Sequence, residues 1–102
     1  ADVTSSNAAK ILGMYPQKGA VAVGSDADLA IIDPSIKKAL TMSDLHVRDY
    51  SPWEGWQVEG WPTTVILRGK IMIDNGQLLG DGNDGQMVLR KVDQRVLQRP
   101  TV

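Results

Sequence analysis

The sequence predicts a mainly β fold with one short helix at its start, and three observations carry that reading. β-branched runs at Thr63 to Arg68 and Ile71 to Asp74 flank Gly69-Lys70, and Asn75-Gly76 before Gln77-Leu78-Leu79 is the strongest tight-turn signal in the chain. Asp28 to Asp33 holds an unbroken Leu-Ala-Ile-Ile run, as expected of a strand buried on both faces.

In chain order, Asn7 can cap a helix over Ala8 to Leu12, with Gly13 taking the left-handed conformation that ends it and Pro16 preventing its continuation. Ala20 to Val23 reads as a short strand. Gly24-Ser25-Asp26 is a turn, and Asp28 to Asp33 is a second strand closed by Pro34, which cannot donate to a ladder. Ile36 to Met42 alternates imperfectly, in the manner of a further strand. Residues 43 to 62 are dense in Pro, Gly and Trp without a sustained period, so they predict a long ordered loop with one short strand at Gln57 to Glu59. The meander from Thr63 to Leu79 follows, with turns at Gly69-Lys70 and Asn75-Gly76. Gly80 to Gly85 is then a flexible loop, and Gln86 to Val102 reads as a tail that wraps a neighbour.

With 102 residues the chain makes one modest domain, able to bury about two thirds of its unfolded surface. Eleven basic and twelve acidic side chains leave a formal charge of -1, which removes the electrostatic term that nucleic-acid binding depends on. Absence of cysteine excludes disulfides, thiolate metal sites and thiol catalysis, and fits the cytoplasm. No apolar run approaches the roughly 18 residues of a membrane span, so no membrane contact is expected. The start at Ala-Asp-Val is compatible with a cut or processed fragment, and simple removal of an initiator Met would look the same.

Several segments, in order, resemble one family. Lys18-Gly19 and the Gly24-Ser-Asp-Ala-Asp-Leu29 turn and strand resemble a signature of the amidohydrolase superfamily. Ser6-Asn-Ala-Ala-Lys-Ile-Leu-Gly-Met-Tyr-Pro16, Asp49-Tyr-Ser-Pro-Trp-Glu-Gly55, Gly60-Trp-Pro62 and the Val65 to Gly80 hairpin are similar to its cyclic amidohydrolase branch, of hydantoinase and dihydropyrimidinase type. The likeness spans about residues 5 to 91. Ala8 departs from the family's usual Pro, and nothing after Arg90-Lys91 is matched.

The resemblance implies the C-terminal, non-catalytic portion of a metal-dependent hydrolase that opens hydantoin or dihydropyrimidine rings. Its fold would be part of a composite β-sandwich: residues 1–17 a short helix from the end of the catalytic barrel, residues 18–85 the small sandwich domain, and residues 86–102 a tail. The parent would use two bridged divalent metals, usually zinc, held by a His-x-His pair, a carboxylated Lys, two further His and an Asp. This chain has a single histidine, His46, so no catalytic, cofactor-binding or metal-ligating residue is assigned and no cofactor is expected in it. Its partners would be the remainder of the enzyme or further copies of itself, in a homo-oligomeric parent. Alternatives are a fragment of a non-enzymatic, dihydropyrimidinase-like structural or interaction protein and, less in keeping with the motifs, a free-standing Trp-rich binding module.

Each residue group that could bear chemistry also has a plainer role. Gly80-Asp-Gly-Asn-Asp-Gly85 spells a dinucleotide loop, but no βαβ unit surrounds it and its aspartates would repel a pyrophosphate. Gly85 and Gln86 rule out a calcium loop. Asp26 and Asp28 are turn formers with local hydrogen bonds, and Arg48 and Arg68 are solvated charges unless paired. Trp53, Trp56 and Trp61 suit a domain or subunit contact better than a stacking platform.

Overall fold

Helix begins well before Asn7. The structure, a computed structural model, describes residues 1–92 and 94; a wide π-helical turn over Asp2–Ser6 runs directly into α1, Asn7–Ile11. Asn7 is therefore not a cap: it is helical (φ −70°, ψ −39°), and Ser6 Oγ donates to Asp2 Oδ1 at 3.1 Å instead. Gly13 does end the helix in the left-handed region, at φ 71°.

Four strands form one antiparallel sheet in chain order, β1 (Leu29–Ala39), β2 (Gln57–Leu67), β3 (Lys70–Asp74) and β4 (Gln77–Leu78). The expected meander is present. Its first turn lies one residue earlier than the sequence suggests, at Arg68-Gly69, both at positive φ (46° and 82°); the second is Asn75-Gly76 (47° and 80°). Paired positive φ is the geometry that matches the strand twist in a two-residue hairpin.

Four expectations are corrected. Ala20 to Val23 is not a strand; Val21 and Val23 are exposed in an irregular segment that packs into no ladder. Pro34 does not close its strand, because β1 bulges between Asp33 and Lys37 and continues through Ile36 to Ala39, absorbing the separate strand expected there. An edge strand at a bulge has no need of the missing N–H. Gly60-Trp61-Pro62 lies inside β2, where a register shift opposite Ile31 and Ile32 accommodates Pro62, so the loop is shorter than expected and ends at Trp56. Burial on both faces of β1 is not achieved either: Ile31 and Ile32 are 51% and 60% exposed.

The expected tail falls partly on residues 93 and 95–102, outside the described residues. Its described beginning returns to the helix exit, where the Lys91 N–H donates to the Gly13 carbonyl at 2.8 Å. Core is scarce. Ala9 and Leu40 are the buried apolar residues among those described, and no large side chain is fully enclosed.

Candidate functional site

Polar contacts concentrate at one end of the sheet. The chain between α1 and β1 folds back so that Lys18 Nζ bridges two carboxylates, Asp26 at 2.8 Å and Asp28 in a closer contact. Asp28 Oδ1 also accepts from the Arg68 N–H at 2.8 Å, and the Gly69 N–H reaches the Ala27 carbonyl at 3.0 Å, so the segment before β1 grips the first hairpin turn. On the other side of that turn, Lys70 pairs with Asp84 at 2.8 Å, and the Arg68 guanidinium donates to the Asp84 carbonyl.

Asp26 and Asp28 thus do more than form a local turn. Their contacts with Lys18 and Arg68 span distances in sequence that no turn motif encodes. The ion pairs leave electrostatic signatures. The Lys18 ammonium lowers the Asp26 carboxyl and is itself raised, chiefly by its bonds to Asp26 and then Asp28. Desolvation is the largest influence on Asp28 and pushes it up, but Lys18 and the Arg68 N–H together outweigh it and leave the carboxyl below its ordinary range. Likewise Lys70 is raised by Asp84, and Asp84 is lowered by Lys70.

Beside this cluster, Asp2, Ser5 and Ser6 face Lys18, Asp26 and Asp28 across an open cleft of about 320 Å³. Its chemistry is that of compensated charge: the ammonium of Lys18 already occupies the place between two carboxylates that a cation would take. Among the described residues no three or more His, Cys, Asp or Glu are placed so as to hold a metal ion. His46 is exposed in a loop at φ 53°. These residues do not fit a two-metal centre.

The other singled-out groups are structural. Asp84 and the Asn83 N–H bond to Asp81 Oδ1 tie the Gly80 to Gly85 segment to β3 and to itself. Trp53 and Trp56 stack edge to face at 4.9 Å, and Trp61 lies apart on β2 under the Lys38 ammonium, 4.3 Å from the ring centroid. The three indoles therefore form no common platform. Lys38 continues to Asp44, whose other oxygen accepts from the Thr41 N–H and hydroxyl.

What the fold offers most of is uncovered apolar surface. Cross-strand register puts Ala30, Val65, Ile73 and Leu78 in one row, while Ile31 lies on the opposite face of the sheet. Ile31, Ile32, Ile71 and Leu78 are each about half exposed or more. Tyr50, Trp53 and Trp56 add a second exposed patch on the loop before β2. Apolar side chains are thus exposed on both faces of one sheet.

Comparison with known proteins agrees with the motifs. A model of the Amidohydrolase family matches residues 1–72. D-hydantoinase of Ralstonia pickettii is 42% identical over 91 residues, 88% of this chain and 20% of that protein, and D-hydantoinase of Rhizobium radiobacter is 43% identical over the same shares. Among solved structures, dihydropyrimidinase from Brevibacillus agri superposes with a TM-score of 0.83 at 41% identity, covering 87% of this chain and 20% of that one. The chain spans about one fifth of the length of the curated relatives it matches.

Proposed function

This chain belongs to the amidohydrolase family, and on that premise we propose that it is the C-terminal, non-catalytic portion of an enzyme that hydrolyses the ring amide of hydantoins or dihydropyrimidines. The observation that carries the proposal is the pairing of close similarity with short coverage: 41% identity at a TM-score of 0.83 over only 20% of a dihydropyrimidinase. Sparse burial supports the same reading, since a sheet exposed on both faces needs the rest of a protein around it.

Amidohydrolases generally use divalent metals. The described residues do not fit such a centre, so its ligands would come from the remainder of the enzyme, with zinc the expected ion. The role of this chain would be to brace that remainder: the helix and Lys18 segment on one side, the apolar sheet on the other. Among the described residues no helix is long and apolar enough to cross a membrane, and we place the parent in the cytoplasm.

Ring opening of hydantoin and dihydrouracil, followed by loss of ultraviolet absorbance, tests the proposal. The chain alone should give no turnover. Mixed with Ralstonia pickettii D-hydantoinase from which the matching region has been deleted, it should restore turnover that neither part has by itself. Ring opening by the isolated chain would refute the non-catalytic assignment.

A further inference from the structure

The turn between β3 and β4 carries a reactive pair that the sheet does not use. Asn75 and Gly76 are its two central residues, both exposed and both at positive φ. Asn75 commits its backbone N–H to the Thr63 carbonyl at 2.7 Å, but its carboxamide makes a single long bond, 3.4 Å, to Asp74 Oδ1. Among the described residues the Gly76 N–H donates to no backbone carbonyl. A β-carbon built on Gly76 would meet nothing within 4 Å, so no neighbour shields the peptide.

We propose that Asn75 is a self-modification site, converted through a succinimide to aspartate and isoaspartate. The Gly76 nitrogen attacks the side-chain carbonyl carbon of Asn75 and forms a new C–N bond. The bond to the amide nitrogen breaks, and ammonia leaves carrying the proton lost from Gly76. Water then opens the ring at either carbonyl, giving the α-linked or the β-linked acid; one water enters for one ammonia released. Glycine is the residue that permits this, because it puts no side chain beside the attacking nitrogen.

Turn geometry makes the site latent. In a left-handed two-residue turn the carboxamide of the first residue and the following nitrogen lie on opposite sides of the Cα–C bond, so ring closure requires the turn to open. Opening is easy here. β4 is two exposed residues long and is held to β3 through the pairs Ile73 with Leu78 and Asp74 with Gln77, far short of an independently stable hairpin. Once formed, the β-linked isomer adds a backbone carbon to a turn whose length sets the register, and a carboxylate beside Asp74, so the two pairs cannot re-form as before. The modification would therefore unpin β4 irreversibly and leave the edge of β3 free.

The test is to hold the purified chain at mildly alkaline pH for days beside a synthetic peptide of residues 72–79. Isoaspartate is measured by enzymatic methyl transfer and located by peptide mapping. Isoaspartate should accumulate at position 75 in both, more slowly in the chain, and not at Asn7 or Asn83, which precede Ala8 and Asp84. Asn75→His, which keeps a residue tolerant of positive φ and places no glycine after Asp74, should lose the isoaspartate mapped to this turn, whatever arises at Asp81-Gly82 and Asp84-Gly85. Complete conversion of the peptide with none in the chain, or undiminished isoaspartate at this turn in Asn75→His, would overturn the proposal.

Discussion

Gly13 and Lys91 meet backbone to backbone, joining the exit of α1 to the described end of the chain. The Gly13 carbonyl accepts from the Lys91 N–H at 2.8 Å, and a β-carbon on Gly13 would lie 2.5 Å from the Lys91 carbonyl carbon and oxygen. Two independent constraints thus fall on one position: positive φ, which costs a side-chain-bearing residue about 1–2 kcal/mol, and a contact that leaves no room for one.

Gly13→Ala should therefore do more than strain the helix end. We expect the segment around Lys91 to leave the helix exit, read as loss of hydrogen-exchange protection at the Lys91 amide while the β2–β3 amides stay protected. Unchanged protection at Lys91 would show that the contact does not hold the segment.

Asp26 and Asp28 both contact Lys18, but only Asp28 accepts from the hairpin turn. Asp28→Ala should release the Arg68 amide and unsettle Arg68, which sits at φ 46°, where a non-glycine residue needs a partner. Asp26→Ala should leave it protected. Equal effects at the Arg68 amide would mean that the ion pairs, rather than the bond to that N–H, grip the turn.

Asp44 supplies the acid limit of the segment after β1. The Lys38 ammonium, and after it the Thr41 hydroxyl and N–H, hold its carboxyl from an ordinary 3.8 down to about 2. Because the folded value is the lower one, the native arrangement favours the carboxylate; its contribution is whole above the ordinary value and is lost as pH falls through about 2. An NMR titration of the Asp44 side-chain carboxyl should find that low midpoint, with exchange at the Thr41 amide rising in the same window. Lys38→Met should move the midpoint up toward 3.8.

The hairpins were legible in the sequence because their signals are local: β-branched runs of strand length and a dipeptide suited to positive φ. What misled was also local. Pro34 and Pro62 look like strand breakers, yet each coincides with a bulge or register shift, which depends on a partner strand that composition does not reveal. The first turn moved to Arg68-Gly69, where Asp28, forty residues earlier, accepts from Arg68. Ala20 to Val23 has strand composition but pairs with no strand among the described residues. The candidate site was legible as motifs and not as geometry, since the Lys18, Asp26, Asp28 and Arg68 contacts arise only after the chain folds back on itself.

The final prediction concerns the uncovered sheet. Full burial of one Ile or Leu side chain contributes about 2 kcal/mol, while Ile31, Ile32 and Leu78 remain more than half exposed and Ile71 close to half. β1 is also an edge strand of 11 residues. Pro34, the bulge between Asp33 and Lys37 and Lys37 itself blunt its second half, but Leu29 to Ile32, though its pairing with β2 shifts register between Ile31 and Ile32, carries no Pro or charge, and an apolar edge of this kind recruits another strand. We expect the purified chain to self-associate at micromolar concentration, with this edge or the Trp53 and Trp56 patch buried between copies. Sedimentation velocity should show a weight-average mass that rises with concentration, and Ile32→Lys should shift it back toward the monomer if the edge is responsible. Should Ile32→Lys leave association intact while Trp56→Ser abolishes it, the aromatic patch is the contact. A monomer across the whole range would show that the chain is self-sufficient, and that its exposed sheet does not call for the rest of an enzyme.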